Sequence, residues 1–231
     1  MKIGIIGAME VEVAHLKETM VTNRTMVRAG MEFVEGTLGK TDVVVVKSGV
    51  GKVNAAICVQ ILVDYFAVTH IINTGVAGSL NNDINIGDIV VSTDAIYHDM
   101  DATIFGYAPG EVPQMHTVSF PADDTLRKAA VNAVHAAAPE IKAFEGRIVS
   151  GDQFIASRDK KNAIAECFKG FCCEMEGCAI AQAAYVNRIP FVIIRAISDK
   201  ADESVSVSYD EFESTAAQHC ARIVSRMAAE L

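Results

Sequence analysis

Residues 1–16, MKIGIIGAMEVEVAHL, contain the unit from which much of the chain is built. An apolar run over 2–7 ends at Gly7, Ala8 and Met9, and two acids, Glu10 and Glu12, follow within three residues. A run apolar on both faces is what a strand covered by helices requires, and the segment 11–20 carries the longer period of a helix. Acids placed directly after such a strand have two uses. They stabilise the first turn of a helix through its macrodipole, or they form the floor of a site. Position alone leaves both open for Glu10 and Glu12.

The same alternation continues along the chain. Strands are predicted over 2–7, 25–29, 32–38, 42–48, 70–74, 88–98, 144–150, 171–175 and 191–198, and helices over 11–20, 52–66, 123–138, 159–168, 177–187 and 209–230. The last helix shows its face in Phe212, Ala216, Cys220, Ile223 and Met227, spaced by threes and fours. Strand and helix in repeated succession predict an α/β fold with a mostly parallel sheet between helical layers, a three-layer α/β/α arrangement. The stretch 25–48, with Gly30 and the pair Gly39–Lys40 at its turns, adds an antiparallel hairpin part, so the sheet is mixed. The segment 99–121 holds three prolines, two glycines and aromatics with no apolar period, the composition of a functional loop or of a cover for a partner.

Composition narrows the function. At 231 residues with no Pro-, Gly- or Ser-rich linker, the chain is expected to form one domain, 1–231. A net charge of −9 with scattered basic residues argues against a nucleic-acid surface and for a small ligand. The six cysteines show no CxxC pairing, so they are expected to be reduced and mostly buried, in a cytoplasmic protein, and not metal ligands. No run of eighteen apolar residues occurs, and the apolar run at 3–9 is too short for a signal peptide, so neither a leader nor a membrane span is expected.

Ligands in such sheets collect at the carboxyl ends of strands. The strand-ending segments here are GAME (7–10), SGVGK (48–52), NTGVAGS (73–79), SGDQF (150–154), CEMEG (173–177) and RAISD (195–199). SGVGK is not a phosphate loop, because one residue separates its glycines and Val53 follows the lysine. No HxxxH or HxH spacing and no GxSxG elbow occurs, which leaves acid chemistry without a metal or a nucleophile. Glu174 and Glu176 follow one apolar strand and Asp199 ends another; each also has the ordinary reading of a helix-start acid. Arg195, on a strand otherwise apolar, must pair with an acid or touch a ligand.

The ordered set GIIGAMExE, KSGVGKVNAA, NTGVAG, GDIVVS, YHDMDATIFGY, SGDQFI, EMEGCAIAQ and RAISDKAD resembles the 5′-methylthioadenosine/S-adenosylhomocysteine nucleosidases of the nucleoside phosphorylase superfamily, over essentially the whole chain. The resemblance implies hydrolysis of the N-glycosidic bond of 5′-thio-substituted adenosines, a mixed and partly barrel-like sheet, and a homodimer without metal or cofactor. It implies that Asp199 acts on purine N7 with Ser198 orienting it, that Glu12 activates water, and that Glu176 grips the ribose hydroxyls. By the same resemblance, Phe154 stacks on adenine and Ile155 gives backbone contacts to the base edge. Met9, Val50 and Met175 line the sugar and thioether region, Gly78 offers a backbone contact, and Glu174 and Arg195 shape the water site. Phe105, Tyr107 and Pro113 are implied to reach the substrate of the other subunit. Three positions depart from the family pattern: Val11 replaces an acid, Val76 stands where a serine able to hold the water is common, and Ser79 stands where glycine is frequent. The alternatives are phosphorolysis, for which Lys47, Lys52 and Arg195 are the cations near strand ends, and a nucleoside-binding module without turnover.

Overall fold

The computed structural model describes residues 1–201 and 205–231, with side chains described for all of these except 205–211. The chain runs β1 (Lys2–Gly7), α1 (Glu10–Thr19), β2 (Val21–Arg28), β3 (Met31–Leu38), β4 (Thr41–Lys47), α2 (Lys52–Phe66), β5 (His70–Ser79) and β6 (Ile89–Tyr97). After a single 3-10 turn at Thr103–Phe105 it continues through β7 (Phe120–Pro121), α3 (Asp124–Ala137), β8 (Ala143–Ser150), α4 (Arg158–Phe168), β9 (Cys172–Glu174), α5 (Gly177–Val186), β10 (Phe191–Asp199) and α6 (Val205–Glu230).

The sheet is mixed, as the sequence led us to expect. β5 pairs in parallel with β1 and β10 and antiparallel with β9, β10 pairs antiparallel with β6, and β6, β8 and β9 follow in parallel. Because β5 contacts both β9 and β10, the order β5-β10-β6-β8-β9 closes on itself, giving a five-stranded barrel. From β5 the sheet extends as an open wing, β1-β4-β3-β2, whose β2-β3-β4 part is the antiparallel hairpin stretch. Its turns use the left-handed conformation at Gly30 (φ 75°) and Gly39 (φ 61°), which glycine adopts without steric cost.

Two apolar layers cover the sheet. One packs α2 and α5 over Ile71, Ile148, Ile193 and Ile197; the other packs α1, α3 and α6 over Ile3, Ile5, Ile72, Val192 and Ile194. Adjacent residues of β5 and β10 thus point into opposite layers, the reason these strands read as uninterrupted apolar runs. On α6, Ala216, Cys220, Ile223 and Met227 are buried as the period predicts. Phe212 is instead 36% exposed. Besides shifts of a residue or two at other ends, the structure departs from the sequence reading in that β2 begins at Val21, β5 runs on to Ser79, α6 begins at Val205, and the 99–121 loop contains the short β7 at its end. Among the described residues, no helix is long and apolar enough to cross a membrane.

Candidate active site

The carboxyl ends of β1, β5, β9 and β10 open into one cavity of about 200 Å³. Glu12 enters from α1, whose start folds back over the end of β1. That approach needs Gly7, since a Cβ there would lie 2.7 Å from Val13 and 3.0 Å from the Cβ of Glu12. Glu12 is 3% exposed; its Oε2 accepts from the backbone N–H of Ala8 (2.6 Å) and Met9 (3.0 Å), and its Oε1 from that of Val76 (3.1 Å). The residue is therefore both a helix-start acid and a cavity wall, so the two readings of the opening acids coincide in it. Glu10 faces solvent and pairs with Lys17 at 2.9 Å. Burial raises the pKa of Glu12, opposed by the charge of Arg195 and by the three backbone donors.

Arg195 projects from β10 beneath the cavity and is 1% exposed. Its Nη2 pairs with Glu174, donates to Asn73 Oδ1 at 2.6 Å and lies 3.9 Å from Glu176. Burial works against its charge, but Glu174, Glu12 and Glu176 together hold it protonated, above the usual arginine range. Glu174 is fully engaged: besides Arg195 it accepts from the hydroxyl of Ser150 and from the backbone N–H of Glu176 (3.1 Å) and Gly177 (2.7 Å). It thus anchors the start of α5. Glu176 occupies the N-cap position of that helix, yet its Oε1 accepts across the site from Gly51 N–H at 2.8 Å, at the start of α2. Burial, reinforced by the nearby charge of Glu174, pushes the Glu176 carboxyl up to about 8 against the pull of Arg195.

Asp199 ends β10, where the register with β5 shifts between Ile197 and Asp199 and re-aims the strand end. It is 3% exposed; its Oδ2 accepts from the Ser198 hydroxyl at 2.9 Å and its Oδ1 from Ala201 N–H at 2.7 Å. These bonds fix the plane of the carboxyl. Gly78 lies opposite, and a Cβ there would come within 2.8 Å of Asp199 Oδ1, so glycine is what lets the strand pass this close.

The cavity wall contains Met9, Glu12, Val50, Val76, Gly78, Phe154, Ile155, Glu174, Met175, Glu176, Ser198 and Asp199, all singled out from the sequence. Arg195 is not on the wall; it acts from behind Glu174. Ala8, Ala77, Gln153 and Cys173 also line the cavity and were missed. All four lie inside the strand-ending segments, each beside a residue that was found; small or uncharged, they carried no chemical signal of their own. Phe105, Tyr107 and Pro113 do not line the cavity of their own chain. Ser79 turns away, its hydroxyl donating to Asn81 O at 2.7 Å, and Val76 contributes its side chain to the wall and its backbone N–H to Glu12. The last residue of the RAISDKAD motif, Asp202, lies outside the described residues.

The sequence profile of the phosphorylase superfamily matches residues 2–229. A 5′-methylthioadenosine/S-adenosylhomocysteine nucleosidase of Shewanella denitrificans is 43% identical over the full length of both chains. The chain belongs to the 5′-methylthioadenosine/S-adenosylhomocysteine nucleosidase family. Among solved structures of this nucleosidase family, that from Neisseria meningitidis in complex with methylthio-immucillin-A superposes with a TM-score of 0.96 at 39% identity, covering 100% of this chain and 99% of that one. The Colwellia psychrerythraea nucleosidase in complex with adenine gives 0.96 at 41% identity, covering 100% and 96%. The barrel-and-wing sheet is thus the architecture of the nucleosidase family. Among the described residues no group of three or more His, Cys, Asp or Glu side chains is arranged to hold a metal ion.

Proposed function

We propose that this chain hydrolyses the N-glycosidic bond of 5′-methylthioadenosine and S-adenosylhomocysteine, releasing adenine and the corresponding 5-thioribose. The observation that carries the reading is the convergence of Glu12, Glu176 and Asp199, from three distant chain segments, on one small cavity whose remainder is mostly apolar. Cleavage develops positive charge on the sugar and negative charge on the departing purine. Asp199, held by Ser198 and Ala201, meets the purine at N7 and supplies the proton that makes adenine a better leaving group. Glu12 takes a proton from the attacking water; its raised pKa brings it toward the working pH, where a general base is most effective. Glu176 accepts from the ribose 2′- and 3′-hydroxyls, and those donors favour its ionised form.

The apolar wall serves the rest of the substrate. Phe154 offers a ring face to adenine, Ile155 backbone groups to its edge, and Met9, Val50 and Met175 soft apolar surface to the sugar and sulfur. Phosphorolysis would need cations facing the sugar. No Lys or Arg lines the cavity among the described residues, Lys47 is paired with Glu10 and Lys52 with Asp99, and Arg195 is engaged by Glu174 and Asn73.

A second copy completes the site in this proposal, with Phe105, Tyr107 and Pro113 of one subunit covering the 5′-substituent bound by the other. Its support is apolar surface: Ile104 and Phe105 are 89% and 80% exposed, and Val50 and Phe154 line the cavity while remaining largely open to solvent. We also place the protein in the cytoplasm, on the strength of six unpaired cysteines. The test of the reaction is incubation with methylthioadenosine with and without phosphate. Free methylthioribose at the same rate in both supports hydrolysis; a sugar 1-phosphate, or tight nucleoside binding with no adenine released, overturns it.

A further inference from the structure

Asn73 lies mid-strand in β5, 1% exposed and off the cavity wall. A buried amide in an apolar strand is costly unless both its ends are bonded, and here both are. Its Nδ2 donates to the carbonyl of Ile6 on β1 at 2.9 Å, and its Oδ1 accepts from Arg195 Nη2 at 2.6 Å. That Nη2 is the nitrogen that pairs with Glu174 and approaches Glu176. Among the described residues Arg195 Nε has no hydrogen-bond partner, so the bonds at the far end of the guanidinium set how the group is turned. On its other side, Nη1 and Glu12 Oε1 both crowd the position a Cβ on Gly75 would take.

We propose that Asn73 is a positioning residue for the glycosidic hydrolysis, a strut on β5 braced against β1 that turns the Arg195 guanidinium so that it faces Glu12 on one side and the Glu174–Glu176 pair on the other. The proposal rests on the reading of Glu12 as the base. The charged and titratable groups facing the guanidinium are Glu12 of α1, Glu174 of β9 and Glu176 at the start of α5, with Cys172 of β9 and Cys220 of α6, whose thiols burial keeps protonated. Arg195 lowers the pKa of Glu12. A guanidinium that swings away gives up that influence, and the base then ionises at higher pH.

The experiment is the pH profile of kcat/KM for methylthioadenosine in wild type, Asn73→Ala and Asn73→Asp, with thermal unfolding of each. Asn73→Asp keeps an acceptor for Nη2 while adding negative charge beside it. Asn73→Ala is expected to lower the alkaline plateau of kcat/KM roughly 10- to 100-fold, the range produced by slight misplacement at a reacting centre. Asn73→Asp is expected to recover most of that plateau, and in both variants the acid limb moves to higher pH. If Asn73→Ala does not fold, the limb in Asn73→Asp decides. An acid limb unmoved from wild type, or a plateau in Asn73→Asp no better than in a folded Asn73→Ala, overturns the assignment and leaves a purely structural amide. Wild-type turnover tests the underlying reading separately: without it that reading fails, whereas with it only the role of Asn73 is at stake.

Discussion

Replacing Glu176 by Gln separates what the site needs for stability from what it needs for chemistry. In the unfolded chain this carboxyl titrates near its ordinary value of 4.5, and in the folded protein burial and Glu174 push it up to about 8. Between those values the folded state binds more protons than the unfolded one, so stability falls as pH rises through the window. At ~1.36 kcal/mol per pH unit the whole rise is worth at most ~5 kcal/mol. Glutamine matches the protonated form in shape and cannot ionise. Scanning calorimetry of the empty proteins should therefore give similar Tm values near the acid end of the window. At about pH 9 Glu176→Gln should unfold some 5–15 °C above wild type, taking ~2–4 °C per kcal/mol for a chain of this size. The same variant should lose roughly 100-fold or more in kcat/KM, because charge-assisted bonds to the ribose hydroxyls are worth ~1.5–3 kcal/mol each. A variant no more stable than wild type at alkaline pH, or a wild-type Tm that stays flat across the window, would refute the idea that Glu176 is held in an unfavourable ionised state.

Other substitutions address the remaining parts. Asp199→Asn should cut turnover by roughly 10²- to 10⁴-fold, the usual contribution of a positioned acid, with Tm little changed; near wild-type turnover contradicts its role at the purine. Gly75→Ala would drive a Cβ against Glu12 and Arg195 together. It should destabilise the fold by about 1–3 kcal/mol and lower kcat/KM as well, and wild-type values in both calorimetry and kinetics would show that the close approach is unimportant. Phe105→Ala and Glu12→Gln should each be weakly active alone. If subunits share sites, mixing them under exchanging conditions forms hybrids with one intact site and raises activity above either parent; no gain on demonstrated exchange counts against the shared pocket.

Much of this site was legible because the strands announce it. An apolar run whose last residues turn polar, as FVIIRAISD does beyond its single internal Arg195, marks both a core strand and a wall of the cavity, and it singles out Asp199 as a candidate. The choice between Glu10 and Glu12 was not legible from spacing. It depends on a helix start folding back over Gly7, which points Glu12 inward and leaves Glu10 to Lys17. The closure of β5 against β10 was likewise invisible to local pattern, because the pairing joins segments more than a hundred residues apart. Asn73 carried the same signal as Arg195, a polar side chain within an apolar strand, but its neighbours in NTGVAG drew attention to the glycines. Phe105, Tyr107 and Pro113 were named only through family resemblance, since a loop proposed to serve another copy would leave no periodicity within one chain.

Three carboxyl groups divide the work of cleavage in this proposal, and a crystal structure with a non-hydrolysable adenosine analogue bound shows which part each one meets. The purine should lie against Asp199 with its N7 within hydrogen-bond reach, the sugar hydroxyls on Glu176, and Glu12 facing the anomeric carbon across a water. An analogue bound outside this cavity, or seated with its purine against Glu12 and its sugar toward Asp199, would contradict it.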